Sequence, residues 1–135
     1  MRARRPIVLF GTRSEIGFVL ETRAHVTVRR ADTQRDLARL LEEETDLIVV
    51  DAVEDSRRKA AEAAIELARK RVSCPVLALL GEYAEQLPVD AVVRDGWECA
   101  YCLIGAVRQL TARKRGPKKK RVAAQPSSAV SSEVA

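Results

Sequence analysis

The sequence predicts an α/β fold, a single five-stranded parallel sheet with helices on both faces, and three observations predict it. Short apolar runs of strand type alternate along the chain with segments of helical period. The most apolar runs are continuous rather than alternating, as strands buried on both faces are. One of them, DLIVVDAVED (residues 46–55), places a single carboxylate, Asp51, directly after Leu47–Val50. The carboxyl ends of strands in open α/β sheets are where ligands and chemistry gather, so Asp51 is the first residue to weigh.

Each element follows in order. Pro6 to Phe10 (PIVLF) is a short β-branched run stopped by Gly11, a buried first strand. In GTRSEIGFVLETRA, Ile16, Val19 and Leu20 keep helical spacing behind Thr12 or Ser14 as cap. His25 to Arg30 alternates Val26 and Val28 with polar neighbours, the mark of a strand with one wetter face, expected at an edge. Asp32 or Thr33 can cap QRDLARLLEEE, whose Leu37, Leu40 and Leu41 form one stripe. After the Asp51 strand, Glu54 and Asp55 suit the positive end of the next helix. That helix, Ser56 to Arg71, is expected to turn Ala60, Ala63, Ala64, Leu67 and Ala68 inward. Cys74 to Leu80 (CPVLALL) and Val89 to Arg94 (VDAVVR) are the fourth and fifth strands. Trp97 to Arg113 closes the body as a helix with Leu103, Ala106, Val107 and Leu110 facing inward.

The chain has 135 residues, one domain's worth and enough to bury a core without metal or disulfide staples. Its formal charge of +5 belongs to its ends: residues 6–112 hold 14 basic and 18 acidic side chains. Three segments follow: a basic extension over 1–5 with Arg2, Arg4 and Arg5, an α/β body over 6–112, and a tail over 113–135. The tail is a charge block followed by Ser and Ala, too polar to bury the surface that ordering requires. Three cysteines in no secreted-type framework fit a reducing, cytoplasmic setting. No apolar run approaches the roughly 18–20 residues that span a bilayer, and the four-residue run after MRARR is too short for a signal peptide.

With the elements in this order, the stretch DLIVVDA after a Leu-rich helix, CPVLALLGE and DAVVRD together resemble the receiver domains of bacterial two-component response regulators, over residues 6–112. The resemblance implies a flavodoxin-like strand order 2-1-3-4-5. It also implies a phosphoacceptor at Asp51, a Mg²⁺ held by Asp51 and an acidic pair after the first strand, a hydroxyl closing the fourth strand and a Lys closing the fifth. The chain departs from most of that set. The acidic pair falls on Phe10, Gly11 and Thr12, chiefly the last two, none of which offers a hard carboxylate oxygen. The hydroxyl position is Leu80 and the Lys position is Arg94, followed by Asp95 where the family has Pro. The stretch between Gly81 and Val89 leaves room only for a shortened fourth helix. What remains is Asp51 and Arg94, expected near each other and able to form a permanent ion pair in place of a switch.

Other motifs carry rival readings. FGTRSEIG resembles the glycine-rich turn of short-chain dehydrogenases, with Gly11, Ile16 and Gly17 in place and Asp32 about twenty residues on, where a ribose-binding acid belongs. Glu15, however, stands where the middle glycine would meet a phosphate. Cys99 and Cys102 form a CxxC with no second ligand pair for zinc, and their spacing beside Leu103 and Ala106 reads as buried small hydrophobes. The tail residues Arg113, Lys114, Arg115, Lys118, Lys119, Lys120 and Arg121 can contact nucleic acid, anionic lipid heads or an acidic protein. PKKKRV also looks like a nuclear import signal, but an Ala-, Arg- and Glu-rich, Lys-poor body fits a high-GC bacterial coding sequence. No aromatic interleaves the run, so base stacking is not indicated.

The expectation is a non-enzymatic, pseudo-receiver-type module for protein interaction in bacterial signalling. It needs no cofactor, with Mg²⁺ entering only if Asp51 is phosphorylated, and its basic tail adds affinity for a protein or polyanion. The alternatives are a working phosphoacceptor regulator and a small nucleotide-binding protein.

Overall fold

A computed structural model describes residues 4–94 and 99–115. Trp97, Asp95 and the tail cations from Lys118 to Arg121 lie outside the described residues, as does Arg2. The elements are β1 (Arg5–Phe10), α1 (Ser14–Arg23), β2 (Val26–Ala31), α2 (Gln34–Leu40), β3 (Leu47–Ala52), a 3₁₀ turn (Asp55–Arg57), α3 (Arg58–Arg71), β4 (Val76–Leu80), β5 (Ala91–Arg94) and α4 (Cys99–Arg115). The five strands form one parallel sheet in the order β2-β1-β3-β4-β5, as the sequence led one to expect.

Alternation along the strands sends side chains into two layers. Val8, Phe10, Ile48, Val50, Ala78 and Leu80 meet Leu37 of α2 and Ala61, Ala64, Ile65 and Ala68 of α3. Ile7, Leu9, Val49, Leu77 and Leu79 meet Ile16 and Leu20 of α1 and Leu103, Val107 and Leu110 of α4 on the other face. β3 is buried at every position, which is why its sequence runs apolar without alternation. Helix α2 opens on Thr33, whose hydroxyl accepts from the Asp36 N–H at 3.1 Å.

Several expectations shift in detail. The inward stripe of α3 is Ala61, Ala64, Ile65 and Ala68; of the expected residues Ala64 and Ala68 are buried, Ala60 and Leu67 are half-buried against the same core, and Ala63 is exposed. The spacing admits both stripes, and the one that buries Ile65 removes the larger apolar surface from water. Arg5 belongs to β1 rather than to an extension, and its guanidinium reaches the buried Asp46 at 3.0 Å. The last helix continues to Arg115, two residues beyond the expected end. The shortened fourth helix is absent: residues 81–90 hold a turn at Gly81–Ala84 and no helix. Ten residues must return the chain along the sheet to start β5 in parallel, a crossover that ordinarily takes a dozen or more, and Leu87 covers the core in the helix's place.

Between α1 and β2 the chain turns through His25, exposed and in the left-handed region at φ 58°. A β-carbon is disfavoured there and glycine is the usual residue after a helix end. His25→Gly is expected to raise the unfolding free energy by about 0.5–1 kcal/mol, read from urea denaturation midpoints at unchanged slope.

Candidate functional site

Asp51 is the fifth residue of β3, and its side chain is 8% exposed at the carboxyl end of the sheet. It is not alone there. Arg13, two residues past Gly11, donates from Nε to Oδ2 at 2.8 Å and from Nη2 to Oδ1 at 3.1 Å. The N–H of Val53 adds a bond to Oδ1 at 3.3 Å. The fork of the guanidinium therefore covers both carboxylate oxygens, the geometry in which charge-assisted pairs are strongest. Arg13 is also the residue that caps α1 at its N-terminus, and it makes no side-chain cap bond. The expected caps Thr12 and Ser14 do not fill that role, and the helix start is held instead by an arginine whose side chain is committed to Asp51.

Gly11 makes the arrangement possible. A β-carbon built on it would lie 2.7 Å from Cβ of Asp51, closer than non-bonded carbons approach. Its N–H donates to the carbonyl of Ala31 at 2.9 Å, and its carbonyl accepts from Arg30 at 3.0 Å. Glycine at 11 is thus a requirement of close packing against Asp51, and Gly17 is buried against Leu9 and Val28. Asp32 pairs with Arg30. Thr12 is exposed, and Phe10, buried below, carries the guanidinium of Arg57 5.5 Å from its ring centroid.

The expected partnership of Asp51 with Arg94 is not formed, and the sheet explains why. Asp51 lies beside Leu79, whose side chain enters the α1/α4 layer, whereas Arg94 lies beside Leu80, which enters the α2/α3 layer. Neighbours in register point the same way, so the two charges leave opposite faces of a sheet two strand spacings apart. Arg94 donates instead to the carbonyls of Gly81, at 3.1 Å, and Ala84, and to Oε1 of Gln86 at 3.3 Å, tying down the β4–β5 connection. Leu80 is fully buried. Sequence reasoning missed Arg13. The available signal was a cation just past the strand end where the acidic pair is wanting.

The CxxC divides from its expected role, because Cys102 is exposed rather than buried. Among the described residues no group of three or more His, Cys, Asp or Glu side chains could hold a metal ion, and no helix is long and apolar enough to cross a membrane.

Removing either partner tests the pair. Arg13→Ala leaves a nearly buried carboxylate with one backbone donor and is expected to cost about 1–3 kcal/mol. Asp51→Asn should cost less, since a neutral amide needs no counter-charge. Gly11→Ala should destabilise by about 1–3 kcal/mol through overpacking, and adding Arg13→Ala to it should give less than the sum of the two, because both perturb one carboxylate. Chemical denaturation of the three single variants and the double variant checks this.

No family model matches this sequence, and no curated protein does. Solved structures do match. The signal receiver domain of a protein described as a Luxo repressor from Vibrio parahaemolyticus aligns with a TM-score of 0.65 at 13% identity, over 82% of this chain and 92% of that one. The receiver domain of the TMAO respiratory system response regulator TorR gives 0.64 at 16%, over 81% and 98%. A response regulator receiver protein from Sinorhizobium medicae gives 0.63 at 17%, over 83% and 98%. At such identities the likeness is one of backbone, and what it establishes is that this chain has the receiver fold, five parallel strands in the order 2-1-3-4-5 with its conspicuous carboxylate at the end of the third.

Proposed function

We propose that this chain is a receiver-fold module that acts by binding a protein partner in bacterial signalling, with Asp51 serving as structure rather than as a Mg²⁺-dependent phosphoacceptor. The observation that carries the reading is the two-pronged bond from Arg13 to both oxygens of Asp51. A carboxylate that is to attack a phosphoryl donor needs a free oxygen, and a Mg²⁺ beside it needs further hard oxygen ligands at about 2.0–2.1 Å. Here one cation already occupies the carboxylate, and Gly11 and Thr12 offer no acid. Arg13 does permanently what a metal would do transiently, holding a positive charge against the carboxylate.

A module of this kind has no catalytic step. Its function lies in the surface that the sheet and helices present, and the basic run from Arg113 to Arg121 supplies long-range attraction to an acidic partner or to nucleic acid. That attraction weakens steeply with salt.

Intact mass after incubation with acetyl phosphate and Mg²⁺, measured beside Asp51→Asn, tests the reading. No mass gain is expected in either protein under conditions that fully modify an ordinary receiver domain. One phosphoryl group on the wild type and none on the variant would make Asp51 a working phosphoacceptor and sink the proposal.

A further inference from the structure

Helices α1 and α4 share one face of the sheet and meet at one end. Arg108 of α4 donates to the carbonyl of Arg23, the last residue of α1, at 3.1 Å, so the turns of α4 before it run beside the body of α1. What α4 exposes there is unlike the rest of the surface. From Ala100 to Ala112 its single charged residue is Arg108, whereas α3 carries seven in fourteen residues. The open groove of about 670 Å³ between α3 and the β4–β5 loop is lined by three cations and three acids. Along α4, besides Arg108, the exposed residues are Ala100, Tyr101, Cys102, Gly105, Gln109 and Ala112. Of the three exposed large hydrophobic side chains among the described residues, two belong to this helix pair: Phe18 of α1 at 69% exposure and Tyr101 of α4 at 71%. Phe18 precedes Arg23 by five residues and Tyr101 precedes Arg108 by seven, which at helical rise puts them at similar heights, roughly 8 and 10 Å from the shared end.

Gly105 marks the middle of this face. Glycine in an exposed stretch of helix is disfavoured, because it gives up the most backbone freedom on folding and packs nothing. No atom of the described residues lies within 4 Å of the place its β-carbon would take, so packing inside the chain does not call for glycine there. A turn of helix without a side chain does admit a second helix at close range. Gly105 stands four residues after Tyr101 and four before Gln109. A two-fold axis through it would set Tyr101 of each copy against Gln109 of the other, and Cys102 against Arg108, with no like charges opposed. The area is of the right order. Phe18 and Tyr101 each leave roughly 100–170 Å² in water if a whole ring offers about 150–250 Å². Four rings then bring about 400–700 Å² to a dimer, near half of the roughly 1,200 Å² at which stable interfaces begin, and Ala100, Cys102, Gln109 and Ala112 are each counted twice toward the rest.

We propose that the α1/α4 face is a self-association surface, on which a second copy of the chain lays its α4 antiparallel across Gly105. Charge selects this occupant. A strongly acidic or basic partner would find a single cation, already drawn to the end of α1, whereas an identical face offers matching apolar area and places no charge against its like. The inference goes beyond the reading of Asp51, and neither its residues nor its test involves that carboxylate.

Sedimentation equilibrium of the full-length chain, from micromolar to near-millimolar concentration with a thiol reductant present, tests it. The average mass is expected to rise with concentration from 14.9 kDa toward twice that value. Added salt should leave the dimer in place, since ion pairs do not hold it. Gly105→Arg should weaken the dimer at least tenfold, while the dilute variant denatures no earlier than the wild type, because arginine is the better helix former and the site is exposed. Tyr101→Ser, at a side chain that the core does not use, should weaken it as well. A single 14.9 kDa species at every concentration would overturn the proposal. So would a dimer that either substitution leaves unmoved, or one that dissociates in salt.

Discussion

The structure turns on the approach of two backbones at the carboxyl end of the sheet, where Gly11 lies so near Asp51 that no side chain fits between them. That approach fixes where Arg13 begins α1, and from there its guanidinium spans both oxygens of Asp51. A carboxylate buried at the rim of an apolar sheet is costly unless its charge is met. In this chain a loop residue, Arg13, supplies that compensation. The first helix starts there without a side-chain cap bond.

A second consequence concerns communication across the sheet. In-register parity separates the two conspicuous charges: Asp51 is on the α1/α4 side and Arg94 on the α2/α3 side, where it secures the carbonyls of the β4–β5 loop. The site at Asp51 and the loop that Arg94 secures are therefore built on opposite faces of the sheet. Arg94 thus secures the β4–β5 loop without any bond to the carboxylate at the end of β3.

The fold was legible because its signals are periodic. The runs PIVLF, DLIVVDA and CPVLALL could only be buried strands, and the leucines at 37, 40 and 41 could only be one side of a helix. For α3 the sequence pointed to a stripe through Ala63 and Leu67, and packing of Ile65 turns the helix toward Ala61 and Ile65 instead. The site was less legible for a reason of dimension. Asp51 announces itself at the end of its strand, but its partner is a lone arginine in a three-residue loop, marked only by its place just past the end of β1. Arg94 looked the better partner because strand ends converge in one dimension. Which face each residue leaves by is set by register across β4, a fact that no single stretch of sequence contains. The missing helix was visible as a shortage of residues, though not the groove that the shortage opens.

The contact between Gly11 and Asp51 also narrows what position 11 can become. The β-carbon of an acidic residue placed there would stand 2.7 Å from Cβ of Asp51. The turn that carries Arg13 would have to shift to admit it, so a second carboxylate at this position comes at a cost in stability before it brings any new chemistry.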